Sequence, residues 1–427
     1  MNNDKLSLSP DVREVRRGDR YIYLNPNIPR WIVTDKLGKL ILSLFNGEYT
    51  CEEIVSTVVE GLGDPAQRGK IQAFCDHVIS SGLLDEVKPR PRGHRLRLSS
   101  VHLSLADHCN LNCTYCYARE RVEKKHKPLT LEEYKSVIDD LLEIDPKIIF
   151  SLTGGEPLLN KDCLRIAEYI KSKGAETILM SNGLLISESN IKDIKAHIDI
   201  VSLSIDGPND AIHSMTRGHS FDKVIQATQL LEKNGVDYRL SMTVTKDNIG
   251  YVGETAKMFG NRLNYAPYFP ISGDVSSLAI TGLEYYNALN NAGVKALSTC
   301  QDSLEDALSS PCHKCSLGDG VVSISATGDV YPCQLLHTDE FYGGNVHEQN
   351  VKDIYRNAEA INRCANLDVD TNAVCKDCPL KYICGGSCRA RAYYGCGDIN
   401  SATEFCQYEQ EAFYDGIVAM YSRNALK

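Results

Sequence analysis

The chain has 427 residues, 43% of them hydrophobic and 24% charged, with a formal net charge of −10. That length exceeds one ordinary core and predicts about two to four domains. The negative balance argues against nucleic acid held by phosphate contacts, and no apolar run approaches the roughly 18 residues of a membrane span.

The start, MNNDKLSLSPDVREVRRGDR, is polar and has no apolar signal core, so a cytoplasmic location is expected. Residues 1–90 then read as a small first domain. YIYLNP (Tyr21–Pro26) and WIV (Trp31–Val33) predict short strands broken by Pro26 and Pro29. Thr34 is placed to cap a helix through Leu44, which Asn46-Gly47 ends. Thr50 with Glu53 forms a capping box that opens CEEIVSTVVEGLG. Asp64-Pro65 starts a third helix with Ile71, Phe74, Cys75, Val78 and Ile79 on one face. Lys88–Arg97, KPRPRGHRLR, is a proline-broken basic linker with a solvated surface.

Residues 91–270 alternate strand-like and helical runs. Strands are predicted at 101–105, 147–152, 176–180, 199–205, 238–244 and 263–269, and helices at 131–143, 161–173, 188–196, 221–234 and 250–259. This is a βα repeat with a parallel sheet, so the fold class is α/β. The first strand runs into Cys109-Asn-Leu-Asn-Cys113-Thr-Tyr-Cys116. Three thiolates on one short loop can hold three irons of a [4Fe–4S] cube and leave the fourth iron open. Zinc is the competing occupant. Gly154-Gly155-Glu156-Pro157 follows the second strand, where glycines let backbone approach a ligand and Glu156 could accept from an ammonium group. Arg217, in MTRGHSF, reads as a surface ion-pair residue.

Residues 271–311 read as a bridging region of polar loops around one helix near 283–297. Residues 312–427 hold a second constellation: Cys312-x2-Cys315, Gly328-x4-Cys333, then Cys375-x2-Cys378-x5-Cys384-x3-Cys388, then Cys396 and Cys406. Seventeen cysteines in a chain without an export signal favour metal or redox chemistry over structural disulfides. Zinc sites and iron–sulfur clusters both fit this spacing.

CNLNCTYC, TGGEP at Thr153–Pro157, SNG at Ser181–Gly183 and SLSIDG at Ser202–Gly207, in this order and each after a strand-like run, resemble the radical S-adenosylmethionine (SAM) superfamily. The resemblance implies a partial (βα)6 barrel and a cluster on Cys109, Cys113 and Cys116 that binds SAM. One electron then cleaves SAM to methionine and a 5′-deoxyadenosyl radical. It also implies SAM contacts at Gly154, Gly155, Glu156, Asn182 and Ser204, with Tyr115 where backbone meets the adenine.

ISATGDVYPCQ, GNV at Gly344–Val346 and CKDCPLKYICGGSCR resemble the SPASM extension of such enzymes. That resemblance implies two auxiliary [4Fe–4S] clusters, making three in all. The first would take Cys312, Cys333 and Cys388, with Cys315 as the fourth candidate. The second would take Cys375, Cys378, Cys384 and Cys406, with Cys396 as a rival to Cys406. Cys51, Cys75, Cys163, Cys300, Cys364 and Cys396 are left as buried or incidental thiols.

LFNGEYTCEEIV and VISSGLLDEV resemble the winged-helix-like leader-recognition element of ribosomal-peptide maturases, in which a leader adds as a strand to a small sheet. The three resemblances together imply a maturase of a ribosomally made precursor peptide that forms a thioether crosslink. Carbon–carbon crosslinking and sulfatase maturation are the alternatives, and a non-catalytic zinc-stabilised peptide-binding scaffold is the last. Sulfatase maturases typically place an aspartate after the cysteine of the PC phrase, and here Gln334 follows Cys333. A low-potential flavodoxin or ferredoxin is implied as electron donor.

Overall fold

The structure, a computed structural model, describes residues 4–84, 97–117, 126–271, 273–294 and 311–424. Most of the basic linker, Cys300 and much of the bridging region lie outside them.

The first unit is a three-stranded antiparallel sheet of β1 (Arg13–Arg17), β2 (Arg20–Asn25) and β3 (Arg30–Thr34), with β2 central. Three helices follow: α1 (Lys36–Ser43), α2 (Cys51–Leu62) and α3 (Arg68–Ser80). β1 was not predicted, because REVRR is mostly charged and carries no apolar alternation. Asp35, not Thr34, caps α1, its carboxylate accepting from the Leu37 and Gly38 amides. Thr34 instead ends β3, paired with Tyr21. The Thr50–Glu53 capping box opens α2 as its sequence predicts.

The second unit is built on a nine-stranded sheet. Six parallel strands run in chain order: β4 (Ser100–Ala106), β5 (Ile149–Gly154), β6 (Glu176–Ser181), β7 (Ile200–Ser204), β8 (Tyr238–Val244) and β9 (Leu263–Pro267). Between them lie α4 (Leu131–Ile144), α5 (Cys163–Ser172), α6 (Ile191–His197), α7 (Asp210–Arg217) and α8 (Phe221–Asn234), with α9 (Val252–Phe259) before β9. The helix α7, DAIHSMTR, is short and largely polar, and it was not predicted. α10 (Gly282–Asn291) leaves the sheet. This is an α/β partial barrel with a small amino-terminal β domain and a carboxyl-terminal cysteine-rich domain.

The chain then returns to the barrel. β10 (Val321–Ile324) pairs parallel with β4, and β11 (Asp329–Tyr331) and β12 (Gly344–Asn345) extend the sheet antiparallel. Val322, Ile324 and Val330 share one core with the barrel strands. α11 (Val351–Asn357), α12 (Glu359–Ala365), α13 (Lys381–Cys384), α14 (Arg389–Cys396) and α15 (Cys406–Asn424) complete the chain.

A separate apolar cluster joins the two ends of the chain. Ile22, Leu24 and Val33 pack on Leu380, Ile383, Phe413, Tyr414 and Ile417. Each such side chain gains about 1.5–3 kcal/mol from burial. Arg17 reinforces the contact, pairing with Glu411 and lying 5.1 Å from the Tyr414 ring centre.

Candidate active site

The three motif cysteines leave the carboxyl end of β4, the edge where parallel α/β sheets place their chemistry. Cys109 is exposed, Cys116 half-buried and Cys113 buried. The loop is held from two sides. The Thr114 amide donates to Thr216 O at 2.9 Å, and the Cys116 amide to Cys113 O at 3.3 Å. Asn182 Nδ2 lies 3.6 Å from Cys109 Sγ and 2.7 Å from Asn110 Oδ1.

The Gly154-Gly155 pair lies against this loop. The Gly155 amide donates to Ala106 O at 2.7 Å and the Glu156 amide to His108 O at 3.0 Å. A Cβ on Gly154 would sit 2.2 Å from Ala106 O, and one on Gly155 would sit 2.1 Å from His108 O. Close backbone contact with the cysteine loop itself therefore requires the glycines.

Glu156 also differs from its expected role. It is fully buried, and its carboxylate accepts from Ser181 Oγ at 2.8 Å, the Asn182 amide at 2.8 Å and the Leu158 amide at 3.2 Å. Burial pushes its pKa up, against the pull of those three donors. Glu156 fixes the SNG turn, and through it Asn182, and is not free to meet an ammonium group. Ser204 ends β7, half-buried, paired in register with Ser241.

The hub of the site is Asp206, two residues past β7 and fully buried. Its carboxylate accepts from Tyr115 Oη, Thr216 Oγ1 at 2.8 Å, Arg217 Nε at 2.7 Å and the Thr243 amide at 3.0 Å. Arg217 is only 11% exposed, so the expected surface ion pair is a buried one. Burial alone would lower the Arg217 pKa, but the Asp206 carboxylate outweighs it and raises it. Arg217 Nη1 reaches to 3.8 Å from Cys113 Sγ, and the guanidinium lies 5.4 Å from the Tyr115 ring centre. α7 therefore delivers a fixed positive charge to the cysteine loop. The SLSIDG motif contains Asp206, but its carboxylate's partners are 10 to 91 residues away, so spacing gave no signal.

His213 braces this hub. Its Nδ1 accepts from the Asp206 amide at 3.2 Å, and its Nε2 meets Ser220 Oγ at 2.8 Å. Burial lowers its pKa to about 4, and a proton on Nδ1 would oppose the Asp206 N–H. A folded pKa below the unfolded value near 6.5 gives stability that is full above pH 6.5 and lost as pH falls toward about 4. We expect about 3 kcal/mol of stability to disappear across that window, at about 1.4 kcal/mol per tenfold change in proton affinity. Urea titrations of the iron-free protein at pH 7 and pH 4 would show it. His213→Gln should flatten the slope, and an unchanged slope in that variant would refute the assignment.

The carboxyl-terminal cysteines form two groups. Cys375, Cys378, Cys384 and Cys406 line one cavity with Lys381, Ser387 and Glu409. Gln410 Nε2 lies 3.4 Å from Cys378 Sγ and 3.8 Å from Cys406 Sγ. The rival Cys396 is exposed, its Sγ 3.3 Å from Ala402 O. Cys315, Cys333 and Cys388 instead share an apolar cluster with Leu336, Phe341 and Ala390. Cys388 leaves the first group because Gly385, Gly386 and Ser387 all have positive φ, at 63°, 76° and 61°, and turn the chain. Ser387 is held there by Glu409 Oε1 at 2.8 Å. Cys312 is buried but lies outside that apolar cluster.

Two family models match the chain: the radical SAM superfamily over residues 103–259 and an iron-sulfur cluster-binding domain, SPASM, over residues 301–379. The chain is a radical SAM/SPASM enzyme. This radical SAM enzyme is 28% identical over 384 residues to an AdoMet-dependent heme synthase of Oleidesulfovibrio alaskensis, covering 82% of this chain and 95% of the relative. It is 25% identical over 352 residues to a cysteine-type anaerobic sulfatase-maturating enzyme of Clostridium perfringens, covering 71% and 92%. The solved structure of Streptococcus suis SuiB bound to its precursor peptide SuiA shares its fold, with a TM-score of 0.57 and 15% identity, covering 94% of this chain and 99% of SuiB.

Iron–sulfur clusters and SAM are the cofactors these domains carry, and the cysteine groups fit clusters better than zinc. Tetrahedral zinc, at about 2.3 Å from each sulfur, needs sulfurs about 3.8 Å apart. Among the described residues no three cysteines bring their sulfurs within 4.8 Å of one another. A four-iron cube spreads its ligands wider. Buried donors also wait for an anionic group. Arg389 and Arg391 are 3% and 5% exposed, and Arg389 Nε and Nη2 and Arg391 Nε have no hydrogen-bond partner. Among the described residues, no helix is long and apolar enough to cross a membrane.

Proposed function

We propose that this enzyme matures a ribosomally made precursor peptide, forming a thioether between a cysteine sulfur and a carbon of the peptide core. The observation that carries this reading is the amino-terminal sheet. It is docked on the cysteine-rich domain through Ile22, Leu24 and Val33, and it leaves β3 as an edge strand. A leader pairing with that edge would hold the core near the barrel mouth and raise its local concentration.

When bound at Cys109, Cys113 and Cys116, a [4Fe–4S] cluster supplies the electron that splits SAM into methionine and a 5′-deoxyadenosyl radical. The chain's own residues position that chemistry. The Gly154-Gly155 backbone, Asn182 and Ser204 face SAM, and Glu156 holds the Asn182 turn. Arg217 sets a positive charge beside Cys113. Two further clusters lie on the carboxyl-terminal cysteines, and a low-potential flavodoxin or ferredoxin supplies electrons in the cytoplasm. The C–H hydrogen goes to the 5′-deoxyadenosyl radical, the S–H hydrogen leaves as a proton, and the surplus electron would pass to a cluster on the carboxyl-terminal cysteines, so the peptide loses two hydrogens.

A second reading is heme synthesis, favoured by the 28% identity that spans 82% of the chain. Sulfatase maturation is disfavoured by Gln334 after Cys333. An anaerobic assay with SAM and reductant separates the two leading readings. Cysteine-bearing precursor peptides encoded beside the gene are expected to yield 5′-deoxyadenosine and a product lighter by two hydrogens, resistant to thiol alkylation. Unchanged peptides, with conversion of an iron-bearing tetrapyrrole instead, would transfer the assignment to heme synthesis.

A further inference from the structure

Cys364 belongs to none of the ligand sets above, yet the fold carries it to the first of them. We propose that Cys364 supplies the fourth thiolate of the first auxiliary cluster, beside Cys315, Cys333 and Cys388, in place of Cys312. The inference rests on the two-cluster reading of the carboxyl-terminal domain, not on the identity of the substrate.

Gly318 ties the parts together. Its amide meets Val321 O and Pro332 O, each at 3.1 Å, which joins the turn after Cys315 to the residue before Cys333. A Cβ there would sit 2.7 Å from Ile361 O and 3.0 Å from Cys364 Cβ, so the turn lies directly on α12. Lys314, 3% exposed, locks the same turn by donating to Cys315 O and Leu317 O, each at 2.9 Å, and to Asp319.

The remaining wall is set by Tyr394 Oη on Leu335 O at 3.0 Å, which binds α14 to the Cys333 loop. Glu340 then accepts from Arg363 Nη2 at 3.1 Å and Tyr393 Oη at 2.7 Å, which clamps α12 to α14. Within this frame Cys364 is fully buried and shares one apolar cluster with Cys315, Cys333 and Cys388.

Cys312 faces elsewhere. Its amide donates to Tyr382 O at 2.8 Å, and its Sγ lies 3.2 Å from Lys314 O. Tyr382 belongs to the apolar group around Cys375, on the side of the second cluster. With four thiolates from the chain, the first auxiliary cluster has no iron open to a substrate sulfur. Its part is then electron transfer and not substrate binding.

The test uses the full chain carrying Cys109→Ala, Cys113→Ala and Cys116→Ala, so that only auxiliary iron remains. Reconstituted anaerobically, this parent is expected to hold about eight irons per chain. Adding Cys364→Ala is expected to produce the EPR signal of a three-iron cluster on mild oxidation, while adding Cys312→Ala leaves iron content and spectrum unchanged. Cys364→Ser keeps the side-chain shape and offers an oxygen ligand. It should retain the iron but alter the EPR spectrum of the reduced cluster, which a packing role would not do. Parent-like iron and spectra in both Cys364 variants, or a three-iron signal from Cys312→Ala alone, would overturn the proposal. A parent with no iron at all would overturn the two-cluster reading, and this inference with it.

Discussion

Alanine at Cys109, Cys113 and Cys116 together is expected to abolish 5′-deoxyadenosine formation and to lower bound iron by about four per chain. The carboxyl-terminal iron should remain, because its cysteines lie apart from the barrel loop, in one cavity and one apolar cluster of the carboxyl-terminal domain. Cys109 is exposed and the loop is held by backbone contacts to Ala106, His108 and Thr216, so the three changes should not unfold the barrel. Iron and sulfide analysis, with chromatography of SAM products after reduction, checks both halves. Deoxyadenosine above background in the triple variant would show that SAM is cleaved elsewhere.

Asp206→Ala should be among the most damaging single substitutions in the barrel. It removes the acceptor of Tyr115, Thr216, Arg217 and the Thr243 amide at once. It also leaves the Arg217 guanidinium buried without its counter-ion, a loss of about 3–5 kcal/mol. Urea unfolding of the iron-free protein should show that loss. Tyr115 and Thr216 both hold the cysteine loop, so SAM cleavage per bound cluster should fall as well. Asp206→Asn keeps an oxygen acceptor and the side-chain shape, and it should be milder in stability. A destabilisation below about 1 kcal/mol for Asp206→Ala, the level of an exposed ion pair, would mean that the hub does not hold the site together.

Deleting the amino-terminal unit is a poorer test of peptide recognition than its sequence implies. The deletion would uncover Leu380, Ile383, Phe413, Tyr414 and Ile417, so lost activity would report lost packing as well as lost docking. Comparing the intact enzyme on peptides with and without their leader avoids that confusion.

The alternation of strand-like and helical runs fixed the barrel in advance, because apolar residues recur with a different period in each kind of element. The same local signals located α2 and its capping box. They missed β1, whose residues are too polar to show a period, and α7, whose eight residues are shorter than the window over which a helical period is read. They also misplaced the cap of α1 by one residue, since both Thr34 and Asp35 have the chemistry to serve. Motif residues were legible as a set, because three cysteines in eight residues and GGEP carry meaning at close spacing. Their working partners were less so. Glu156 looked like a ligand for an ammonium group until Ser181, Asn182 and Leu158 were seen to occupy its carboxylate. Arg217 looked like a surface charge until Asp206 was found beneath it.

By itself, then, the sequence determined the parallel sheet, the open-iron motif at the end of its first strand and the supply of carboxyl-terminal thiols. These depend on residues close together in the chain. Only the tertiary structure brought Cys364 to the cluster of Cys315, Cys333 and Cys388, paired β10 with β4, and rested the first sheet on the last helix. Those pairings join residues tens to hundreds of positions apart. Their partners are chosen by apolar burial and backbone hydrogen bonding across the whole molecule, which leave no periodic trace in the chain.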